Sequence, residues 1–239
     1  MQEVRYRLLS EELATGRTLS VFGDVRARMP FVPAIFRALA SDPEALEAAW
    51  LQARALYDDP CAEEAALRLV RLARPDLAYR PSPPVRAAAA PFVAELPKLL
   101  LVVTSLGLSL EGAHPLRSRP PANLPDPAPL PATPVPELRE EHPLYGSVRA
   151  AYGTEHVPSM YKALAAAGLL EEPWAEISPY LGTAEGGRLV ESVEAAADRE
   201  ARAFPDYAFF AAEGARPVLA QFLIALPRNL VFATAATRS

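Results

Sequence analysis

The sequence is poor in the residues that build disulfides, redox centres and metal sites. Among 239 residues it has one cysteine, Cys61, and three histidines. A single cysteine excludes an internal disulfide and any paired-cysteine redox or zinc motif. The histidines include no His-x-x-x-His pair, which the common zinc motifs require. We therefore expect neither a metal nor any other cofactor.

Basic charge and long apolar runs are also scarce. Lys and Arg number 24 against 29 Asp and Glu, which gives a net charge of −5. This balance argues against a nucleic-acid partner, because a basic face supplies most of that affinity. The longest strongly apolar stretch, residues 99–110, is 12 residues long, whereas a membrane span needs about 20. With no apolar secretory signal at the start, the sequence predicts a soluble cytoplasmic protein.

Glycine-rich nucleotide loops and nucleophile elbows are absent as well. The sequence contains no Gly-x-Gly-x-x-Gly motif, no Walker-type loop and no Gly-x-Ser-x-Gly motif. The pair Gly186-Gly187 indicates a turn. None of the common nucleotide or serine-hydrolase chemistries is therefore indicated.

Helical spacing dominates, and alternating strand patterns are nearly missing. Asp42 followed by Pro43 is typical of a helix start, and an apolar stripe with helical spacing follows it to Tyr57. Further helices are predicted over residues 62–73, 84–110, 158–167, 171–181, 184–203 and 214–236. Trp50 and Trp174 lie on apolar stripes and are expected in the core. The fold class is therefore all-α.

The chain also repeats itself. Val32-Pro33 and Trp50 recur in the same order as Val157-Pro158 and Trp174. The offset drifts only from 123 (Gly23 to Gly146) to 130 (Phe92 to Phe222). Other paired features are Pro75-Asp76 with Pro205-Asp206, and Leu96-Pro97-Lys98 with Leu226-Pro227-Arg228. This period exceeds the roughly 20–50 residues of a solenoid, so it indicates two homologous helical repeats that form an intramolecular pseudo-dimer.

A proline-rich segment separates the repeats. Proline favours extended, polyproline-like conformation, which predicts repeat 1 over residues 1–112, a linker over 113–143 and repeat 2 over 144–239. A cleft between repeats is a usual place for a small-molecule ligand. The sequence leaves open whether the protein also forms a homodimer.

Candidate acid–base residues are few. His156 follows Glu155, and a histidine–carboxylate pair can transfer protons. Glu95 is the ionisable residue beside the repeated Leu-Pro motif. His114 and His142, at the two ends of the linker, are expected to be solvated.

Two segments resemble the group I 2-haloacid dehalogenases, the DehI type. One runs from Val25-Arg26 through Pro30-Phe31 to Trp50, and the other is Pro97-Lys98 with the apolar run that follows. Residues 159–165 resemble the second repeat of that family. The resemblance implies an all-helical pseudo-dimer with its active site between the repeats. It also implies hydrolysis of 2-halocarboxylates by a water that an aspartate and an asparagine activate.

Carried over residue by residue, the resemblance loses both water-activating groups. The aspartate position falls on Met160 and the asparagine position on Leu96, and neither side chain can act as a base. A tryptophan position falls on Phe31. The resemblance implies that one ligand pocket is lined by Phe31, Leu96, Ser159, Met160, Tyr161 and Leu226.

Three functions remain open. The leading hypothesis is a divergent dehalogenase-fold protein that binds a small apolar or carboxylate ligand without catalysis. The second is an active halocarboxylate hydrolase whose base has moved to Glu95, or to Glu155 with His156. The third is a purely structural or interaction protein.

Overall fold

The computed structural model describes residues 7–29, 31–116, 118, 124, 126, 130, 141–154, 156–207 and 210–238. Within these ranges the chain forms ten α-helices, two short 3-10 helices and no β-strand. The all-α prediction is therefore confirmed.

Five helices lie in each half of the chain, as far as it is described. The first half contains α1 (Gly16–Arg26), α2 (Ala34–Leu39), α3 (Pro43–Tyr57), α4 (Pro60–Leu72) and α5 (Pro83–Leu110). The second contains α6 (Tyr145–Tyr152), α7 (Ser159–Ala166), α8 (Glu171–Leu181), α9 (Ala184–Ala201) and α10 (Arg216–Ala236). The 3-10 helices are Glu11–Leu13 and Glu213–Ala215.

The helices α2 and α7 begin in the same way. Pro33 precedes α2 with φ −55° and ψ 147°, and Pro158 precedes α7 with φ −59° and ψ 146°. Proline fixes φ near this value, and the carbonyl of each accepts hydrogen bonds from the first turn that follows. The repeated Val-Pro motif thus produces the same local structure twice. Superposition of the two complete halves stays a prediction.

The chain divides into two compact units. Unit 1 comprises residues 1–59, 102–136 and 201–222, and unit 2 comprises residues 60–101, 137–200 and 223–239. Each unit combines segments from both halves of the sequence. Most of the predicted linker lies outside the described residues, and its predicted boundaries stay a prediction.

Unit 1 is built around α3, against which α1 and α2 pack. The fully buried Trp50 contacts Phe36 edge to face, with ring centroids 5.3 Å apart, and its Nε1 donates to Asp24 at 2.8 Å. A second buried group, Gln52, donates to Ser105 Oγ and to the carbonyl of Pro205, and accepts from the Tyr207 N–H. These bonds fix three distant segments of the chain in one unit.

Unit 2 has an aromatic core. Tyr161 contacts Trp174 and Phe232 edge to face, with ring centroids 5.5 and 4.9 Å apart. Trp174 is therefore a core residue, as its apolar stripe predicts.

An ion pair joins two further helices of unit 2. Arg68 of α4 and Glu200 of α9 form two hydrogen bonds, at 3.0 and 2.8 Å.

The two longest helices are apolar enough to be compared with membrane spans. Eighteen-residue windows in α5 and in residues 213–236 reach mean hydropathies of 1.6 and 1.5. Of these windows 56% and 67% are buried inside the protein. Burial of this extent is typical of core helices in soluble proteins.

Candidate functional site

A cavity of about 430 Å³ opens within unit 2, between elements from the two halves of the sequence. Its first wall is the end of α4 and the segment that follows it, and its second is the middle of α5. The last turn of α10 and the residues after it close the third side. The lining residues are Val70, Arg74, Pro75, Asp76, Val93, Thr234, Thr237 and Arg238. The volume lies within the range of roughly 300–1,000 Å³ that small-ligand pockets occupy.

The shape of the cavity depends on bonds between α10 and the segment after α4. Thr234 is buried, and its Oγ1 donates to the carbonyl of Ala73 at 2.7 Å, where α4 has just ended. Arg238 donates to the carbonyl of Leu77. These side chains hold residues 73–77 against the end of α10, so the wall that carries Arg74 and Asp76 has a fixed path.

The far end of the same segment is held by α8. Glu172 accepts hydrogen bonds from the Ser82 N–H at 3.2 Å, the Ser82 hydroxyl at 3.1 Å and the Tyr79 hydroxyl at 2.9 Å. Partial burial acts to raise the pKa of Glu172, but the three bonds outweigh it and the pKa is lowered. A carboxylate that accepts three bonds is stabilised in its charged form. The segment over residues 73–82 is thus fixed at both ends.

Charge in the cavity is dominated by arginine. Arg74 is exposed and forms no ion pair or side-chain hydrogen bond within the described part of the chain. Arg238 lies 3.7 Å from Asp76, whose side chain is 96% exposed. Guanidinium groups match the geometry of carboxylates and bind them with two parallel hydrogen bonds. The cavity therefore has the chemistry of a carboxylate site, with Arg74 as its available cation.

Two hydroxyl groups complete the polar lining. Besides Ala73, Thr234 Oγ1 lies 2.9 Å from the carbonyl of Val231. Thr237 Oγ1 lies 2.9 Å from the carbonyl of Ala233 and 3.3 Å from that of Thr234. Both hydroxyls therefore donate to backbone carbonyls of the same helix or of the neighbouring segment. Val70, Pro75 and Val93 supply the apolar part of the wall.

None of the residues predicted from the sequence to form a pocket lines this cavity. Leu96 and Leu226 are buried at equivalent places, each directly before a proline inside a long helix. Met160 and Tyr161 are buried in the first turn of α7, behind the half-buried Ser159. Phe31 is half-buried and belongs to unit 1. That these side chains border a common ligand pocket stays a prediction.

Of the three candidate bases, the structure describes two. Glu95 is half-buried on α5. His156 is half-buried, and its carbonyl accepts from Thr154 Oγ1 at 3.0 Å. Glu155 lies outside the described residues.

Tyr161 has little acid–base capacity. Its hydroxyl pairs with that of Tyr152, and both side chains are fully enclosed. Burial raises the pKa of Tyr161 well above its ordinary value, and the neighbouring Tyr152 hydroxyl adds to the effect. Burial likewise raises the pKa of Tyr152. Both phenols are therefore neutral near pH 7.

Metal chemistry has no support within the described ranges. No group of three or more His, Cys, Asp or Glu side chains there could hold a metal ion. Since parts of the chain lie outside those ranges, the sequence prediction of no metal stays a prediction.

Solved structures of a D-2-haloacid dehalogenase are similar to this chain over nearly its whole length. A mutant in complex with D-2-CPA has a TM-score of 0.78 and 17% identity, covering 99% of this chain and 96% of its own. The complex with L-LA has a TM-score of 0.76 and 19% identity, covering 99% and 97%. A further mutant reaches 0.77 at 19% identity, covering 99% and 96%. No family model and no curated protein matches the sequence.

The chain has the fold of D-2-haloacid dehalogenase. The resemblance seen in the sequence is thereby confirmed at the level of the fold. At 17–19% identity the likeness extends no further than the fold.

The sequence did not predict that Arg74 and Thr237 line one cavity of this D-2-haloacid dehalogenase fold. They lie more than 160 residues apart in the sequence and meet only because α10 packs beside the end of α4. One signal was available, because Pro75-Asp76 belongs to the repeated pattern and forms part of this wall. The repeat therefore drew attention to this segment, but it did not predict that the segment lines a charged cavity.

Proposed function

We propose that this protein binds a small monocarboxylate in the cavity of unit 2 and does not hydrolyse it. The observation that carries the proposal is the exposed guanidinium of Arg74 on the wall of a cavity of about 430 Å³, without an acceptor among the described side chains. A carboxylate is the ligand that such a group binds best. Val70, Pro75 and Val93 offer an apolar surface to a short carbon chain.

The absence of hydrolysis follows from the side chains at the two positions that the resemblance assigns to water activation. Met160 is 1% exposed and Leu96 is 6% exposed, and both are apolar. Displacement of a halide by water needs a base within about 3 Å of that water. An apolar surrounding also tends to exclude the water. The fold therefore serves binding rather than turnover in this protein.

The binding half of the proposal is tested by ligand titration. At neutral pH and constant ionic strength, propionate should raise the melting temperature in a concentration-dependent way, because a ligand of the folded state stabilises it. Arg74→Gln should weaken binding by about 10- to 100-fold, since hydrogen bonds to charged groups contribute about 1.5–3 kcal/mol. Arg71→Gln is the matched control, because Arg71 is an exposed arginine on α4 that does not line the cavity.

The catalytic half is tested by halide release. The purified protein should release chloride from 2-chloropropionate no faster than buffer does. Rapid release would support the competing hydrolase hypothesis, and its loss in Glu95→Gln or Glu155→Gln would then identify the base. A protein that neither binds carboxylates nor releases halide would have the third, structural role.

We further propose that the protein is cytoplasmic. Whether it is a homodimer is tested by measuring its mass in solution.

A further inference from the structure

The two threonines of the cavity present acceptors to a ligand and no donors. A hydroxyl group has one hydrogen and two lone pairs. The hydrogen of Thr234 is donated towards the carbonyls of Ala73 and Val231, and that of Thr237 towards Ala233 and Thr234. The hydrogen-bonding capacity that remains on each oxygen is therefore that of an acceptor.

Val93 lines the cavity from within α5, four residues before Pro97. A helical carbonyl normally accepts from the amide four residues later, but proline has no amide hydrogen. The Val93 carbonyl thus lacks its helical donor.

The charges of the cavity fit one negative charge. The guanidinium groups of Arg74 and Arg238 and the carboxylate of Asp76 leave one net positive charge, as two minus one. A monoanion balances this charge, whereas a dianion would lie close to the carboxylate of Asp76. A zwitterion would leave the positive charge uncompensated.

We infer that the cavity selects short monocarboxylates that carry a hydroxyl group over those that do not. This inference rests on the proposed function. The carboxylate binds Arg74, and the hydroxyl donates to Thr237 Oγ1. A halogen or a methyl group in that place has no hydrogen to donate, so the acceptors on the wall would lose water without gaining a partner.

The selectivity is measured by calorimetric titration with lactate, propionate and 2-chloropropionate at neutral pH. These acids share a three-carbon skeleton and differ at the second carbon, where they carry a hydroxyl, a hydrogen or a chlorine. Lactate should bind about 3- to 10-fold more tightly than the other two, the ratio expected for one net hydrogen bond of about 0.5–1.5 kcal/mol. Malonate, a dianion, should bind more weakly than propionate.

Thr237 variants assign the preference to its oxygen. Thr237→Val keeps the branched shape and removes the oxygen, so the ratio of lactate affinity to propionate affinity should fall to about one. Thr237→Ser keeps the oxygen and should keep the preference. The melting temperatures of both variants show whether they fold, and Thr237→Ser keeps the test decisive if Thr237→Val does not.

Equal affinity for lactate and propionate in the unaltered protein would overturn this inference and leave the proposed function standing. A preference for lactate that persists in folded Thr237→Val, or is lost in folded Thr237→Ser, would overturn the role of Thr237. If none of the acids binds, the proposed function fails, and the inference fails with it.

Discussion

The carboxylate of Asp24 is the acceptor around which the polar core of unit 1 is arranged. It accepts from Trp50 Nε1 at 2.8 Å and from Arg28 at 2.7 Å, and Arg54 lies 3.5 Å away. Its side chain is only 9% exposed. Because a buried charge without partners is costly, the three donors and the carboxylate depend on one another.

Asp24→Ala should destabilise the protein by about 3–5 kcal/mol, the usual cost of removing one partner of a buried ion pair. Denaturant unfolding measures this loss. Asp58→Ala is the matched control, because Asp58 also pairs with Arg28 but is 54% exposed, and exposed pairs contribute about 0–1 kcal/mol. Equal losses in the two variants would contradict the role assigned to Asp24.

Burial of individual residues was predicted well where it followed from apolar spacing, and poorly where it followed from a distant partner. Trp50 and Trp174 are buried as expected. His114 and His142 were expected to be solvated, and this was wrong. His114 bonds Ser105, and the His142 side chain is 5% exposed and bonds Glu171 at 3.0 Å. The positions of such partners depend on how helices pack, which the local sequence does not specify.

At the level of helices, the sequence pattern predicted most of the described elements. The range 171–181 is that of α8, and the predicted ranges for α4, α5, α7, α9 and α10 differ from the structure by at most two residues at each end. The Asp42 cap is also confirmed, because its side chain accepts from the N–H groups of Glu44 and Ala45. The helices α1, α2 and α6 were not predicted. The helices α1 and α6 contain glycine and β-branched residues of low helix propensity, and α2 has only six residues, so tertiary packing decides their structure.

One turn prediction was wrong. Gly186 and Gly187 lie inside the first turn of α9 rather than in a turn between helices. A Cβ at Gly186 would lie 2.1 Å from the carbonyl oxygen of Tyr180, whereas one at Gly187 would meet nothing within 4 Å. The glycine at 186 therefore permits the close approach of α9 to the end of α8.

Alanine substitutions at the two glycines should have opposite effects. Gly186→Ala forces backbone to move and should cost about 1–3 kcal/mol, as overpacking does. Gly187→Ala should stabilise the protein by about 0.5–1 kcal/mol, because alanine favours the helix. Thermal unfolding of the two variants side by side checks this difference. Tolerance of alanine at 186 would show that α8 and α9 are not so closely packed.

The ion pair between α4 and α9 predicts sensitivity to acid. The hydrogen bonds from Arg68 lower the pKa of Glu200, against the smaller opposing effect of burial. A carboxylate whose pKa is lower in the folded state stabilises the fold above its unfolded pKa, which is about 4.3, and loses this contribution as the pH falls through the folded pKa. Glu172 acts in the same direction. The melting temperature should therefore fall as the pH decreases below about 5.

Glu200→Gln should flatten this acid limb, because the glutamine does not titrate. Glu64→Gln is the control, since Glu64 lies 3.9 Å from Arg68 but its side chain is 75% exposed. Melting temperatures recorded between neutral pH and about pH 3 compare the two variants. An unchanged acid limb in Glu200→Gln would show that this pair does not carry the effect.

On the scale of the whole molecule, the halves of the sequence are joined inside unit 2. The hydroxyl of Thr234 donates to Ala73, Arg68 pairs with Glu200, and Glu172 accepts from Ser82. Each of these bonds joins one half to the other. We therefore expect neither half to fold stably without the other.

Residues 1–112 and 144–239, expressed separately, should therefore lack a cooperative thermal transition. When the two fragments are mixed, near-ultraviolet circular dichroism should recover part of the signal of the intact chain, because its tryptophans are core residues in both halves. A sharp, independent transition in either fragment would contradict this interdependence.

The fold was within reach of sequence reasoning, whereas the cavity of unit 2 was not. Repeated motifs such as Val-Pro and the apolar run after Pro97 reflect helix starts and core packing, and the fold that they indicate is also that of the dehalogenase structures at 17–19% identity. Arg74, Asp76 and Arg238 form a charged cavity only after the chain is folded. The ligand chemistry that we propose therefore rests on the folded structure and not on a sequence motif.

The central claim is that the ligand binds intact beside Arg74. A crystal soaked with 2-bromopropionate tests it directly, because bromine gives an anomalous scattering signal that locates the ligand. We predict a bromine peak inside the cavity lined by Arg74, Thr237 and Val93, with the ligand carboxylate at the Arg74 guanidinium. A bromine peak beside Leu96 and Met160 would contradict the account. Electron density for the 2-hydroxy acid instead of 2-bromopropionate would also contradict it, because it would show hydrolysis.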